Sequence, residues 1–191
     1  AALKEFKKNG YQASSMRSIA ENSDMTVGNI YRYYKNKEDL FFATIQPAFE
    51  RLNVFLRRHT NNNLSLDFLP DNNLNHFMER SEGLPDVINQ FADVFVEIFK
   101  EYREELLLLI TKSQGLKYGQ TKHKIVDWIQ KIFYNKLLSE SDEFMNDKDK
   151  LIYAKVLATG FLQGFIVLVE QCKSEKQLKY IIEKHIKAYF L

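Results

Sequence analysis

A chain of 191 residues, 45% hydrophobic and with 15 Phe and 10 Tyr, can bury a substantial core as one large domain or as a small one joined to a medium one, which excludes disorder. Seven Gly and three Pro leave few turns, so the composition favours long helices over a many-stranded β fold, and a single Cys excludes a disulfide framework. The net charge of +2 is uneven: residues 1–58 hold ten basic against six acidic side chains, while the remainder is slightly acidic, which points to an anionic partner at one end.

In chain order, residues 1–9 read as the end of a helix with Leu3 and Phe6 on one face and Gly10 as its stop. The first residue is not Met and no cap precedes the helix, so an upstream stretch is expected to be missing. Ser14 or Ser15 caps a short second helix to about Asn22. Ser23-Asp24-Met25 forms a turn, and Thr26 caps a third helix through Tyr33. Asn36 caps a long fourth helix, with Glu38 and Asp39 at its positive end and an apolar stripe of Phe41, Ile45, Phe49, Leu52, Phe55 and Leu56. Asn-rich and Pro-containing breaks make 60–83 a loop with short helical pieces. Further helices are expected over 85–112, about 121–138 and about 147–172, with Ser174 and Gln177 as the capping box of a last one. The expected fold is all-α, with about nine helices.

Two short helices joined by a three-residue turn, with Ala20 where they would cross, form a helix-turn-helix layout whose second helix enters the DNA major groove. Gly28 in the first turn of that helix costs about 1 kcal/mol relative to Ala, and a bare backbone there permits close approach to a phosphate or base edge. Thr26, Asn29, Tyr31, Arg32 and Tyr33 bring hydroxyl, amide and guanidinium donors within two turns. Lys37 opposes the dipole of the fourth helix, which a phosphate placed there would relieve. Read singly, the tyrosines can belong to a small core, and Arg32, Lys35 and Lys37 to a solvated face; their convergence on one motif favours DNA.

The runs Ser15-Met16-Arg17-Ser18-Ile19-Ala20 and Thr26-Val27-Gly28-Asn29-Ile30-Tyr31-Arg32-Tyr33-Tyr34-Lys35-Asn36-Lys37-Glu38-Asp39-Leu40 resemble the DNA-binding domain of TetR/AcrR-family regulators. The resemblance covers residues 1 to about 50 and implies a helix-turn-helix domain over 1–46 and a helical effector-binding and dimerisation domain over 47–191. It implies that Ser15 and Arg17 touch the DNA backbone or a nearby base, that Thr26, Val27, Gly28 and Asn29 face the groove, and that Tyr31, Arg32, Tyr33 and Lys37 hold phosphates. Asp24 stands where the family usually has Gly, and Asp can take a left-handed conformation. Tyr34 stands where Phe is frequent, so its hydroxyl must reach solvent or a partner.

One helix-turn-helix reads few base pairs, so a homodimer on a pseudo-palindromic double-stranded operator is expected. Gly160 and Gly164 form a Gly-x-x-x-Gly pair in mid-helix; with Phe161 and Val167 they are assigned to the two-fold interface, with close packing inside one chain as the alternative. Phe91, Phe95, Phe99, Tyr102, Trp128 and Phe133 are core candidates that can also line a cavity. The resemblance implies that a small apolar or aromatic effector held there releases DNA by changing the spacing of the two heads; a regulator or DNA organiser without an effector is the alternative. No nucleophile–His–acid set, phosphate loop or His/Cys metal spacing is present, so no catalysis, metal or cofactor is expected. No signal peptide opens the chain, and no apolar run approaches the roughly 20 residues of a membrane span. A cytoplasmic protein with no membrane partner is therefore expected.

Overall fold

Helix α1 (Ala2–Ala13) carries Phe6 inward and breaks at Gly10, whose φ of 73° is left-handed, so the turn Tyr11–Ala13 continues in a new direction. The sequence places the helix stop at this glycine; the structure bends the chain there and adds one more turn. Ser15, of the two candidate caps, starts α2 (Met16–Glu21), its Oγ accepting from the Ser18 N–H at 3.0 Å. Ser14 is instead buried and donates to the Gly10 carbonyl at 2.6 Å. Asp24 adopts φ 54° in the turn, the left-handed geometry expected of it. Thr26 caps α3 (Val27–Tyr31), which ends two residues earlier than the sequence suggests. The Asn36 carboxamide oxygen accepts from the Asp39 N–H at 2.8 Å, and the Asp39 carboxylate accepts from the Lys35 N–H at 3.0 Å, so the two side chains together start α4 (Lys37–His59).

The computed structural model describes residues 1–59, 84–113, 115–116, 120–139 and 144–190. The loop expected over 60–83 lies outside the described residues. Beyond it come α5 (Leu84–Thr111), α6 (Thr121–Ser139), α7 (Asp147–Gln171) and α8 (Glu175–Phe190), which gives eight helices and no strand among the described residues. Asn146 caps α7 by accepting from the Asp149 N–H at 3.0 Å, and Ser174 caps α8 by accepting from the Gln177 N–H at 3.2 Å. Helix α5 contains a break at Tyr102 (φ −127°, ψ 28°).

That break falls beside a division of the chain into two compact units, Ala1–Leu52 with Glu101–Lys122 and Asn53–Lys100 with His123–Leu191. The sequence reading draws a single boundary after residue 46, whereas the structure groups residues 101–122 with the amino-terminal helices. The first unit buries Phe6, Met16, Ile19, Ile30, Phe41 and Ile45 from the amino-terminal helices and Leu106, Leu108 and Leu109 from the end of α5. In the second unit α7 packs on α8, burying Phe161, Phe165, Val169, Ile182 and Ile186.

Helix α7 corrects one expectation. By length and composition it is apolar enough to cross a membrane, with a mean hydropathy of 1.8 over its most apolar stretch. Lys155, Gln163 and Glu170 interrupt it only singly, so scanning for an unbroken apolar run misses it. Its buried side includes Ala154, Ala158, Leu162 and Ile166, so it serves as a core helix of its unit.

Candidate nucleic-acid interface

The amino-terminal unit displays a compact polar surface at α3 and the residues after it. Thr26 spends its side-chain oxygen on the Asn29 N–H at 3.1 Å, which fixes the first turn of α3. Ile30 is buried beneath α3, and Val27 and Asn29 are half-buried. Tyr31 and Tyr33 are 51% and 69% exposed, unusual for rings with a core to join, and Arg32 and Lys35 are exposed beside them. Tyr34, with its ring half-buried, sits between the inner and outer sets.

Gly28 gives the sharpest observation. It lies within a helix, and among the described residues a methyl group built on its α-carbon meets no atom within 4 Å beyond its chain neighbours and its own helix backbone. Internal packing therefore gives no reason for a residue that weakens a helix by about 1 kcal/mol. The open space outside its backbone is what a close approach by another molecule requires.

Ser15 and Arg17 lie at the start of α2, both exposed. Arg17 pairs through Nε with Glu21 at 3.0 Å, an exposed contact of small energetic weight that leaves its other guanidinium donors available. Lys37 also makes contacts within the chain. Its ammonium donates to the carbonyls of Tyr11, Ser14 and Gln12 at 2.7, 2.8 and 3.2 Å and sits 4.4 Å from the centre of the Tyr11 ring. Burial, followed by the Glu38 carboxylate, raises the Tyr11 phenol above its ordinary range, so that ring stays neutral under the cation. Residues 23 to 26 positions apart make these contacts, and no local spacing signals them.

The other expected sites separate. Phe99 is buried against Phe165 with ring centres 5.5 Å apart, and Phe133 is buried against Phe161 and Tyr189 at 6.3 and 6.0 Å. Tyr102 belongs to the other unit, and the side chains of Phe91, Phe95 and Trp128 lie outside the described residues. Gly160 and Gly164 face α8 of the same chain: a Cβ on Gly160 would lie 3.0 Å from the Tyr189 hydroxyl, and one on Gly164 would lie 2.5 Å from Cε1 of His185. The close approach assigned to a two-fold mate is thus made within the chain, with Phe161 buried in the same contact and Val167 exposed.

Residues 1–44 match the family described as bacterial regulatory proteins of the tetR family. Over these residues the chain is similar to the DNA-binding domain of that family. It is similar to the HTH-type transcriptional repressor KstR of Mycolicibacterium smegmatis, 40% identical over 54 residues that make up 28% of this chain and 26% of that protein. It is also similar to the fatty acid metabolism regulator protein of Bacillus subtilis, 34% identical over 58 residues, 30% of this chain and 28% of that one. The chain spans about a quarter of the length of the curated relatives it matches. Across the whole chain the fold is similar to a TetR family regulator from Chloroflexus aurantiacus (TM-score 0.61, 16% identity, 98% of this chain and 87% of that one). It is similar too to AibR, solved with isovaleryl coenzyme A and operator DNA (TM-score 0.56, 15% identity, 95% of this chain and 91% of that one).

Proposed function

We propose that this chain is a homodimeric transcriptional repressor of the TetR family that binds a pseudo-palindromic operator through residues 1–46. In this reading a small apolar or aromatic effector, bound within residues 47–191, releases it. The observation that carries the DNA-binding reading is Gly28, a glycine that the fold itself does not need, on the exposed start of α3. Thr26, Val27 and Asn29 accompany it toward the groove, Tyr31, Arg32, Tyr33 and Lys37 hold phosphates, and Ser15 and Arg17, exposed at the start of α2, touch the DNA backbone or a nearby base.

The salt dependence of binding to the DNA upstream of its gene tests this reading. Affinity for that DNA should fall steeply with salt and exceed affinity for random duplex. Gly28→Ala should raise the melting temperature, because a helix position gains about 1 kcal/mol of propensity, while weakening DNA binding. A variant with unchanged binding would remove Gly28 from the interface. Arg32→Ala should weaken binding to all sequences alike and lower the slope of log affinity against log salt by about 1. A loss confined to one base position would make Arg32 a base reader.

For the dimer, support comes from the outward side of α7, which carries Val167 of the expected interface. Ile152, Val156 and Val167 recur there at helical spacing and are 56%, 60% and 44% exposed, an apolar stripe that a second copy would cover. For the effector, the complex of AibR with isovaleryl coenzyme A makes short-chain acyl thioesters the first compounds to try by thermal shift. The close packing of Phe99 and Phe133 against neighbouring rings favours the second reading, a regulator without effector, to the extent that these two rings fill space. A ligand-induced rise in melting temperature together with loss of DNA binding decides for the first.

A further inference from the structure

We infer that Lys150 holds a negative head group of the effector, so that the molecule releasing DNA is an amphipathic anion, an apolar or aromatic body carrying a carboxylate or a phosphate; the inference rests on the effector reading above. Lys150 lies in the first turn of α7 and is only 8% exposed. At intervals of four and three residues it starts the inward stripe that Ala154, Ala158, Phe161, Phe165 and Val169 continue, all of them buried. The stripe thus sets a cation where the rest of the helix turns methyl groups and rings to the core of its unit. Helix α6 reaches the same end of α7, where the Gln130 carboxamide donates to the Leu151 carbonyl at 3.0 Å.

Among the described residues the Lys150 ammonium has no hydrogen-bond or ion-pair partner. The two acids of its own turn, Asp147 and Asp149, are exposed, and Asp149 accepts from the Asn146 carboxamide at 2.6 Å. The start of a helix is its positive end, so the peptide dipoles oppose a cation there. Burial, a missing counter-charge and the dipole all act against this one group, and a buried charge without a partner is costly. A bound anion reverses all three at once, because the ammonium and the helix end attract it together. A lysine whose stem fills the core while its head reaches water would need no ligand, and the response to anions separates the two cases.

Thermal shift and DNA release, read with the same probes, test this. Octanoate and octyl phosphate carry the two heads on one tail, and octan-1-ol carries the tail uncharged. At about 100 times its Kd, at least one of the anions should raise the melting temperature of the wild-type chain by roughly 5–10 °C and weaken its binding to the upstream DNA. Octan-1-ol should do neither. A response to octanoate alone makes the head a carboxylate, and a response to octyl phosphate alone makes it a phosphate. Lys150→Met keeps the stem and removes the charge, so it should bind the anion about thirtyfold more weakly or worse and melt higher than wild type without ligand. An equal response to the alcohol, an unchanged response in Lys150→Met, or no response to any probe overturns the proposal. So does a lower melting temperature of ligand-free Lys150→Met, which would mean that an acid outside the described residues, such as Asp142 or Glu143, already holds the charge.

Should the variant fail to fold, acetylation of the wild-type chain by an amine-reactive acetyl donor supplies the answer. The anion should slow reaction at Lys150 and leave exposed Lys148 unchanged; an unchanged rate at Lys150 overturns the proposal. Lys150-dependent anion binding that leaves DNA binding intact would sustain the anion site and refute the effector reading instead. Were the wild type to bind no DNA at all, the regulator reading would fail, and the thermal shifts would still decide the site.

Discussion

Phe41→Ala should lower the stability of the chain by about 3–5 kcal/mol, as measured by denaturant or thermal unfolding, and abolish DNA binding at physiological temperature. The ring is fully buried, with the Phe6 ring edge-on at 5.0 Å and the Tyr11 ring edge-on at 5.4 Å. Truncation leaves a cavity between α1 and α4 that neither neighbour can fill without giving up its own contact. Against a typical domain stability of about 5–15 kcal/mol such a loss is a large fraction. Phe42, one residue on, is half-buried and edge-on to Phe49 at 6.0 Å, so Phe42→Ala should cost clearly less. Equal costs for the two would mean that the Phe6–Tyr11–Phe41 cluster is not the centre of this core.

Gly164→Leu should destabilise the α7–α8 contact by about 1–3 kcal/mol, despite the better helix propensity of leucine. The His185 ring occupies the space a side chain would need. It cannot swing aside freely, because it stacks on Phe161 at 4.9 Å, meets Tyr189 at 5.1 Å and donates from Nε2 to the Phe161 carbonyl at 2.9 Å. The double variant Gly164→Leu with His185→Ala should recover part of the loss, which a thermodynamic cycle measures. Val156→Glu makes the contrast. Its side chain points outward, so folding should survive while sedimentation shifts from dimer to monomer. Both variants are to be compared at one protomer concentration, since dimer stability depends on it. A dimer that survives Val156→Glu, and is lost in Gly164→Leu with folding intact, would return the interface to the glycine face.

Local signals made the amino-terminal helices readable in sequence. Ser15, Thr26 and Asn36 each act within three residues of themselves, and Asp24 satisfies a backbone demand set by the turn alone. Gly28 stands out for the same reason, since a glycine in a short helix is visible without knowledge of its surroundings, and the structure adds that no packing demands it. The intrachain contacts of Lys37 were not legible, because its charge at a helix start suggests an anion while these acceptors come from a helix that ended two dozen residues earlier. The glycine pair in α7 correctly signals a close neighbour but carries no information about which helix supplies it; the answer depends on His185 and Tyr189, one helix later. Aromatic spacing along α5 and α6 likewise marks rings that turn inward without saying whether they fill space or surround it.

The membership of residues 101–122 in the amino-terminal unit bears on how this chain can be recombined with others. An amino-terminal head cut out after Leu52 would lose Glu104, the ion-pair partner of Lys7, the Lys112 carbonyl that accepts from the Tyr11 N–H at 3.2 Å, and the Gly115 backbone beside Gln12. Two of these three contacts fall on the turn whose carbonyls hold Lys37. A chimera that gives this head to another body therefore has to carry two separate stretches of sequence across the splice, or find in its new host a helix end that supplies the same carbonyl.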